Sequence, residues 1–324
     1  MRRNIGLVLA GLGAFLIVLA VVLPTWIVGQ VVKFPLNEFQ TATLAADDAS
    51  YFSVTSLTEK TGVTMEATYT IKGDGKAGTS SRAVWNEYSY VYDLTNHQAV
   101  QEMTRRFAFD RKTGELTMCC GANVNGDAKV QQRGLVGYVF PIGTKKQTYQ
   151  VFDTTLNKPV PFPFAGTATV RGVETYKFTE DVAPVQIATQ TVPGSLVGMS
   201  AASVTLPEFY EIHLTYYVDP ATGALINVQE HQTTTLRTPS GSAQALLLFD
   251  ANLKVTPASL TAIVKLDTNG RNELTLLTVI LPLVLGIVGI IALVAGLILG
   301  RGRRPAAADE PSVMSPEYTS PEPS

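Results

Sequence analysis

Two β-strand patterns flank a tight turn in residues 209–231, which read FYEIHLTYYV-DPATG-ALINVQEH. Apolar and polar side chains alternate on both sides of the turn, as they do in strands that bury one face. Pro220 sets the φ of a type I turn, and Gly223 can adopt the positive φ that a bulged hairpin loop needs. We therefore predict a β-hairpin. Its register pairs three sets of residues on one apolar face: Val218 with Ala224, Tyr216 with Ile226 and Leu214 with Val228.

The opposite face of this hairpin is polar. In the same register Glu211 pairs with His231 and His213 pairs with Gln229. Glu211, His213 and His231 would then cluster, because diagonal neighbours on adjacent strands are within reach of long side chains. Two imidazoles and a carboxylate are side chains that can coordinate a zinc ion. The same side chains also make an ordinary solvated strand face with a His–Glu hydrogen bond, which is the more common arrangement. We predict no bound metal or cofactor and keep Glu211, His213 and His231 as the candidate zinc ligands.

The sequence around the hairpin also has the pattern of strands and turns. Runs rich in Val, Thr, Tyr and Phe alternate with Gly, Asn, Asp and Pro. Five of these runs predict strands: residues 63–71, 88–92, 148–152, 167–170 and 175–178. The turn spelling Asp-x-x-Thr-Gly-x-Leu occurs at 110–116 as well as at 219–225, which predicts a second hairpin loop. The alternating prolines of residues 159–163 exclude a central strand and predict an edge.

A short helix is predicted after the β-rich region. Thr256 is suited to cap its N terminus, and Pro257 is favoured at the first helical position. Apolar residues between Leu260 and Val264 fall on one face. Asn269 and Gly270 then predict the end of the helix.

Two long apolar runs, residues 5–27 and 274–299, frame this region. About 20 helical residues cross a hydrocarbon core of roughly 30 Å, so both runs predict transmembrane helices. Arginines lie on the outer side of each run along the chain: Arg2 and Arg3 before the first, and Arg301, Arg303 and Arg304 after the second. Because basic residues are enriched on cytoplasmic flanks, we predict both termini in the cytoplasm and the middle outside. A cleaved signal peptide is the alternative for the first run, but no Ala-x-Ala-like site follows it.

Within these two apolar runs, one tryptophan indicates a membrane interface and a spacing of small residues bears on how the helices pack. Trp26 is predicted at the membrane interface, where an indole can bury its ring and keep its N–H hydrated. Small residues recur at every fourth position: Gly6, Ala10 and Ala14, then Ala292, Gly296 and Gly300. Such spacing allows close helix packing, yet Gly and Ala are common in every membrane helix, so a seam and chance both stay open.

The predicted fold class is an α+β membrane protein with a large, mainly antiparallel β-rich domain between two terminal transmembrane helices. The predicted segments are a cytoplasmic N terminus (1–4), helix 1 (5–27), the extracytoplasmic β-rich domain (28–273), helix 2 (274–299) and a disordered cytoplasmic tail (300–324). The tail is assigned from its Pro, Ser, Ala and Glu content.

The composition of the chain and the absence of known catalytic motifs exclude several classes of function. Hydrophobic residues make up 46% of the chain and charged residues 16%, well below the charged fraction of about 25% in soluble proteins. The formal net charge of −2 provides no basic field for a phosphate backbone, which excludes nucleic-acid binding. The sequence has no nucleophile elbow, zinc-protease, phosphate-loop or dinucleotide motif. We therefore expect a protein that is not an enzyme.

Cys119 and Cys120 are adjacent in the sequence. On a strand their side chains point to opposite faces, and only a strained turn allows a vicinal disulfide. Outside the cytoplasm thiols tend to oxidise. A vicinal bridge, two unreactive thiols and a crosslink to a partner all stay open.

Two stretches carry a resemblance to a known family: YVFPIGTKKQTYQVFD at residues 138–153, and residues 166–178, which include VRGVETYKF. With the two-span plan, they resemble an actinobacterial family of membrane proteins of unassigned role that is labelled porin-A-like. The likeness extends from Gly6 to Gly300. It implies a cell-envelope location and pore formation, and it brings no catalytic residues. Outer-membrane barrels span with alternating strands, whereas the apolar bulk of this chain lies in its terminal runs.

Three functional hypotheses follow. In the first, the outer domain binds or passes a lipid-like or other apolar ligand, and the lipid bilayer is its other partner. Seven aromatic residues are the candidate lining: Phe140, Tyr149, Phe162, Phe164, Phe178, Tyr210 and Tyr216. The same residues also suit an ordinary core. The second hypothesis is a structural or signalling adaptor for an envelope protein. The third is a channel component, which requires a homo-oligomer because two apolar helices have no water-lined face.

Overall fold

A computed structural model describes residues 2–301, which fall into two compact units. One unit is helical and comprises the described parts of residues 1–29 and 277–324. The other is a β domain over residues 30–276. In chain order the elements are α1 (Arg2–Val22), a π-helical turn (Leu23–Ile27), α2 (Val28–Val31), β1 (Phe39–Ser53), β2 (Thr58–Gly73), β3 (Arg82–Asp93), β4 (Gln98–Asp110), β5 (Leu116–Thr117), β6 (Asn123–Val124), β7 (Tyr149–Asp153), β8 (Lys158–Phe162), β9 (Phe164–Val170), β10 (Val173–Pro193), a 3₁₀ turn (Gly194–Val197), β11 (Ser203–Val218), β12 (Leu225–Arg237), β13 (Gln244–Val255), α3 (Pro257–Thr275), a second π-helical turn (Leu276–Ile280) and α4 (Leu281–Gly300).

The β domain is dominated by one antiparallel sheet. Among the described residues it contains eleven strands in the order β5-β4-β3-β2-β1-β13-β12-β11-β10-β9, with β6 paired to β4. Two meanders, β1–β5 and β9–β13, therefore meet where β13 returns beside β1. The five runs predicted as strands lie in β2, β3, β7, β9 and β10. A mainly antiparallel sheet between apolar terminal helices agrees with the predicted α+β class.

In the helical unit, α1 and α4 pack backbone against backbone. A Cβ added at Gly6 would lie 2.6 Å from the Gly300 nitrogen, and one added at Gly296 would lie 2.7 Å from the Gly6 oxygen. Only residues without a side chain allow this approach. The seam leaves out Ala14, which is exposed, and includes Gly13, which is buried. The small-residue spacing is thus a packing seam in most of its positions.

Two helical stretches in the described part of the chain are long and apolar enough to cross a membrane. They are Asn4–Trp26 and the continuous helix Pro257–Gly300. Trp26 lies in the first π-helical turn and is 65% exposed. Its place at a membrane interface stays a prediction.

The predicted register of the β11–β12 hairpin is wrong by two residues. The observed pairs are Val218 with Leu225, Tyr216 with Val228 and Leu214 with Glu230. Ala224 belongs to the turn, where its carbonyl accepts the Asp219 N–H at 3.0 Å. A bulge beyond the turn then leaves Ile226 without a partner in β11. A shift of two residues keeps every side chain on its predicted face, but it places Glu230 opposite Leu214.

The two Asp-x-x-Thr-Gly turns have the same conformation, which confirms the prediction of a second hairpin loop. Gly114 and Gly223 close turns 110–114 and 219–223 with φ of 73° and 75°. In each turn the glycine N–H donates to the carbonyl of the leading aspartate at 2.9 Å. The backbone of segment 136–140 donates to the carbonyls of both glycines, at 3.0 and 2.7 Å. One segment therefore connects the two meanders.

The start of α3 is as predicted, but its end is not. Thr256 caps the helix, and its Oγ1 accepts the Ser259 N–H at 3.3 Å. The helix continues through residues 269–270 to the end of α3. Asn and Gly weaken a helix by up to about 1 kcal/mol each. Asp267 and Arg271 anchor the helix to turn 219–223 on either side of these two residues, and we attribute its continuation to those contacts.

Prolines 159 and 161 lie in β8, which pairs with β7 in a separate two-stranded sheet. Neither strand is central, so the prediction of an edge is confirmed.

Candidate ligand-binding cavity

A cavity of about 900 Å³ lies inside the β domain. Its walls are the inner faces of the two meanders, with contributions from β7, β8, segment 136–139 and α3, and most of the lining side chains are apolar. Pockets that bind organic ligands span roughly 300–1,000 Å³, so the volume suits such a ligand. The lining reaches Phe34, where the chain enters the domain, and Glu273, near the end of α3 where it leaves.

The charged residues of the lining are almost all acidic. Among the described residues they comprise nine carboxylic acids and one base: Glu38, Glu87, Glu102, Asp127, Asp153, Glu180, Glu230, Asp267, Glu273 and Arg105. An excess of one sign in a low-dielectric cleft concentrates the field there. The cavity therefore favours cations over anions.

On the wall formed by the first meander, the buried carboxylate has partners. Glu87 on β3 pairs with Arg105 on β4, and Arg105 Nη1 lies 3.8 Å from Glu87 Oε2. The Tyr138 hydroxyl donates to Glu87 Oε1. The guanidinium donates from Nε to Gln132 Oε1 at 2.8 Å and lies 4.6 Å from the ring centre of Phe107. Burial raises the pKa of Glu87, while Arg105 and Tyr138 act in the opposite direction.

On the wall formed by the second meander, two carboxyls have no basic partner among residues 2–301. Glu180 on β10 pairs with Leu214 on β11, which pairs with Glu230 on β12, so the two acids flank Leu214. Glu180 is 3% exposed, and its Oε1 has no hydrogen-bond partner within residues 2–301. Burial, followed by the charge of Asp153, raises the pKa of Glu180 to about 8 and that of Glu230 to about 7. Near neutral pH Glu180 therefore largely keeps its proton and Glu230 keeps about half of it, whereas ordinary glutamates are ionised.

Asp153 and two tyrosines complete this wall. The Tyr210 hydroxyl donates to Asp153 Oδ2 at 3.3 Å, and the backbone N–H groups of residues 155 and 156 donate to Oδ1 at 2.7 Å. Burial raises the pKa of Asp153 despite these bonds. Tyr216 stacks on Phe162 with ring centres 4.9 Å apart. The second wall thus combines acidic groups with aromatic faces.

A third polar group lies where α3 meets the sheet. The Thr222 hydroxyl donates to Asp267 Oδ1 at 2.6 Å, and Arg271 Nε lies 3.3 Å from Asp219 Oδ2. Burial raises the pKa of Asp267 to about 7. These contacts hold α3 against the β11–β12 turn and form one end of the cavity.

Comparison with known proteins identifies the family. A family model described as porin PorA matches residues 5–298. The chain belongs to this family. A relative named porin PorA, from Corynebacterium resistens, is 36% identical over 67 residues, which cover 20% of this chain and 16% of that protein. The match confirms the resemblance carried by residues 138–153 and 166–178. Together with the two apolar helices, it makes the chain a membrane or cell-envelope protein of a channel-like family.

The seven aromatic residues predicted to line a ligand site divide into two sets in this PorA-family chain. Phe162, Tyr210 and Tyr216 line the cavity. The other four belong to a packed aromatic cluster: Phe140, Tyr149, Phe164 and Phe178. In that cluster the rings of residues 140 and 178 stack with centres 5.2 Å apart. The first set borders the cavity, and the second packs in the core cluster.

The candidate zinc ligands lie together but face other partners. His213 pairs directly with His231, so the predicted pair of Glu211 with His231 is wrong because of the register shift. His213 Nδ1 lies 2.7 Å from Asp181 Oδ1, and His231 Nε2 lies 2.8 Å from Asp250 Oδ1. Glu211 Oε1 is 3.6 Å from His213 Nε2. Within the described chain no group of three His, Cys, Asp or Glu residues is arranged to hold a metal.

Cys119 and Cys120 form a vicinal disulfide. The turn that allows it has positive φ at Cys120 (62°) and at Gly121 (80°). Arg106 Nε donates to the Cys120 carbonyl at 2.8 Å, which ties this turn to β4. Of the three alternatives left open by the sequence, the structure has the vicinal bridge. A chemical role for it stays untested.

Sequence reasoning missed the acids of the second wall, although their signal was present. Along β10, Glu180 stands between Phe178 and Val182, and along β12 Glu230 follows Val228 at the same period of two. Side chains two apart on a strand share a face. A carboxyl inside an apolar stripe of this period therefore marks a buried acid.

Proposed function

We propose that this chain is a two-span, non-enzymatic protein of the cell envelope whose β domain holds a largely apolar, lipid-like ligand in its cavity. Both termini are in the cytoplasm, and residues 28–273 are outside. The arginines at residues 2–3 and 301–304 support this orientation because basic flanks stay inside. The cavity of about 900 Å³ with mostly apolar walls is the observation that carries the ligand-binding proposal.

The cavity walls explain how such a ligand gains affinity. Apolar surface removed from water contributes roughly 25 cal/mol per Å², and Leu44, Ile71 and Val228 are among the side chains that line the space. The lining continues from the sheet to Phe34 and Glu273. A long ligand can therefore lie along the strands toward the end of the domain where the chain enters and leaves.

The test is a variant that fills the cavity. Val228→Phe adds bulk to the lining, and Gln229→Phe adds the same bulk one residue on, at an exposed position. The full-length proteins are purified in an uncharged detergent, and bound small molecules are identified by native mass spectrometry and solvent extraction. We expect a ligand on the wild type and on Gln229→Phe and a reduced amount on Val228→Phe. A wild-type protein that carries no ligand and takes up none from a lipid extract contradicts the proposal.

The orientation has its own test. Protease added to cells stripped of their outer layers should cleave within residues 28–273 and leave a C-terminal epitope tag intact. Cleavage of the tag with protection of the central region would reverse the orientation.

A second candidate function is a channel component, and the family match favours it. The runs 5–27 and 274–299 contain no ionisable residue, and such residues mark ion pathways through membrane helices. A channel therefore requires several copies of the chain. Single-channel recordings of the reconstituted full-length protein in planar bilayers should then show discrete conductance steps, and their absence over a range of protein-to-lipid ratios dismisses this candidate.

A further inference from the structure

We propose that the cavity selects ligands that carry a protonated primary amine on an apolar body, and that Glu180 and Glu230 bind the ammonium group. This inference rests on the proposed ligand-binding function and names the chemistry of its ligand.

The first support is the position of the two acids. They stand on either side of Leu214 on three adjacent strands, and all three residues line the cavity. Two interstrand spacings of about 4.8 Å separate their backbones. Both carboxyls therefore border the same small area of the wall, within reach of one cationic group.

The second support is an unsatisfied acceptor. Glu180 is 3% exposed, and its Oε1 has no hydrogen-bond partner in the part of the chain that the structure describes. A buried polar atom without a partner is destabilising by about 1–3 kcal/mol, and more when it is charged. An ammonium group has three N–H donors and a positive charge. It can therefore donate a hydrogen bond to Glu180 Oε1 and also balance the charge of the ionised carboxylate.

The third support is the contrast with Glu87 in the same cavity. Glu87 Oε2 also accepts no hydrogen bond within residues 2–301, but Arg105 provides Glu87 with a cation at 3.8 Å and Tyr138 provides it with a donor. Neither Glu180 nor Glu230 has a salt bridge to a basic side chain among the described residues. A cation that balances either carboxylate when it is ionised therefore comes from outside residues 2–301.

The surroundings favour an organic cation over a metal ion. Tyr210, Tyr216 and Phe162 line the cavity beside the acids, and aromatic faces attract ammonium groups. The described residues provide no metal-binding cluster, and a volume of about 900 Å³ far exceeds the space that one ion fills. The apolar walls accept the rest of such a ligand. A carboxylate-bearing ligand would meet like charges.

The protonation of Glu180 makes binding dependent on pH. The titratable groups that interact with it are Asp153 on β7, Glu230 on β12, Tyr210 and Tyr216 on β11, and Asp181 on its own strand. Because the pKa of Glu180 is about 8, the unliganded carboxyl holds a proton at pH 6 and has released half of it at pH 8. An ammonium binds the carboxylate form, so its affinity should rise by up to roughly tenfold per pH unit between pH 6 and pH 8.

The experiment compares three ligands that share a twelve-carbon chain. Dodecylamine, dodecanol and dodecanoate are titrated by equilibrium dialysis into the full-length protein in a fixed concentration of uncharged detergent, at pH 8. We expect dodecylamine to bind at least about tenfold more tightly than dodecanol, and dodecanoate to bind weakest. Lysophosphatidylethanolamine serves as a competitor: displacement of dodecylamine identifies a lipid headgroup as the source of the amine, and no displacement identifies a free amine.

The variants assign the effect to the two acids. Glu180→Gln and Glu230→Gln keep the shape and remove the charge, and each should lower the affinity for dodecylamine about tenfold without changing that for dodecanol. The matched control Glu174→Gln lies on the same strand at an exposed position and should leave both affinities unchanged. Thermal unfolding confirms that each variant is folded.

The outcomes separate this inference from the proposed function. Equal binding of amine and alcohol, or full amine binding by both glutamine variants, overturns the inference and leaves ligand binding intact. Binding of none of the three ligands overturns both.

Discussion

The two walls of the cavity carry buried glutamates in opposite situations. Glu87 lies beside Arg105 and accepts the Tyr138 hydroxyl, so its charge is balanced within the fold. Glu180 has only other acids, Asp153, Glu230 and Asp181, as the charged groups that shift its pKa. Both residues are at least 96% buried. Burial alone therefore does not distinguish the two glutamates. They differ in the side chain that the neighbouring strand places opposite them, which is Arg105 for Glu87 and Leu214 for Glu180.

This difference separates a structural acid from a binding acid. A buried ion pair is strongly destabilised when one partner is removed, because the remaining charge is left uncompensated. A buried acid without a counter-ion instead keeps its proton, and it becomes ionised only when a cation arrives. Substitutions on the two walls should thus have different consequences.

The largest expected effect comes from Arg105→Met, which would turn the first wall into a copy of the second. We expect the free energy of unfolding at pH 8 to fall by about 3–5 kcal/mol, because Glu87 is left buried and unpaired. Denaturant unfolding in detergent, followed by tyrosine and tryptophan fluorescence, measures this loss.

Its matched control is Arg106→Met on the opposite face of β4. Arg106 forms a partly exposed pair with Asp74 at 2.8 Å and also donates to the Cys120 carbonyl and to Asn86 Oδ1. Solvent can replace these partners, so we expect a loss of about 1–2 kcal/mol. The double variant Arg105→Met/Glu87→Leu should recover much of the lost stability. A loss for Arg105→Met no larger than that for Arg106→Met contradicts the structural role of the first wall.

The next effect concerns pH on the second wall. The pKa of Glu180 is about 8 in the folded protein, against an ordinary glutamate value of 4.5 in the unfolded chain, so between these values the folded state holds a proton that the unfolded state has lost. The stabilisation is complete below pH 4.5 and is lost as pH rises through 8. Unliganded wild-type protein should lose on the order of 3 kcal/mol from this group between pH 5 and pH 9.

Glu180→Gln removes this dependence, so its stability curve should be flatter and should cross above that of the wild type at high pH. Asp181→Asn retains Glu180 and should keep the wild-type slope. Parallel curves for the wild type and Glu180→Gln would show that Glu180 titrates normally.

A smaller effect is expected from Tyr138→Phe, which removes the neutral donor of the first wall. Hydrogen bonds to charged groups contribute about 1.5–3 kcal/mol and neutral ones about 0.5–1.5. We expect a loss of about 2 kcal/mol for this variant. For comparison, Tyr149→Phe should lose about 1 kcal/mol, because the Tyr149 hydroxyl accepts only the Lys145 N–H, at 2.8 Å. Equal losses in thermal unfolding would argue that Glu87 is not charged.

The smallest effect belongs to the exposed face behind the second wall. Asp181→Asn removes the partner of His213, which is exposed, and should change the free energy of unfolding by less than about 0.5 kcal/mol. The hydrogen bond that Asp181 Oδ1 accepts from His213 Nδ1–H is the main cause that raises the pKa of His213, so the variant should lower that pKa. The pKa of His213 is measured from the chemical shifts of its imidazole protons in an NMR pH titration. An unchanged pKa would mean that Asp181 and His213 do not interact.

Local patterns predicted the elements of this fold well. The apolar runs, the Asp-x-x-Thr-Gly turns and the cap at Thr256 each depend on a few adjacent residues, and each appears as predicted. The register of β11 with β12 was predicted less well. The alternation of apolar residues assigns each side chain to a face. The turn pairs Val218 one residue later than predicted, and a bulge at Ile226 adds a second residue, so the strands beyond it are shifted by two residues without a change of face.

The candidate site was predicted only in part for the same reason. Three of seven aromatic candidates line the cavity, and the others pack behind it. Aromatic residues of an apolar stripe look alike in the sequence whether they meet a cavity or another side chain. Whether an aromatic side chain lines the cavity or packs behind it depends on how the two meanders pack in three dimensions, which no single stretch of sequence specifies.

By itself, the sequence determined that this chain has two apolar helices, a β-rich region between them and no recognisable catalytic motif, because run length, period and motif spacing are local properties. Only the tertiary structure decided which buried acids have a counter-ion. Glu87 has a counter-ion because β3 and β4 place Arg105 opposite it. Within the described residues Glu180 has no counter-ion, because β10, β11 and β12 bring Leu214 and Glu230 beside it. The charge state of a buried group depends on its neighbours in space, and the pairing of strands chooses those neighbours.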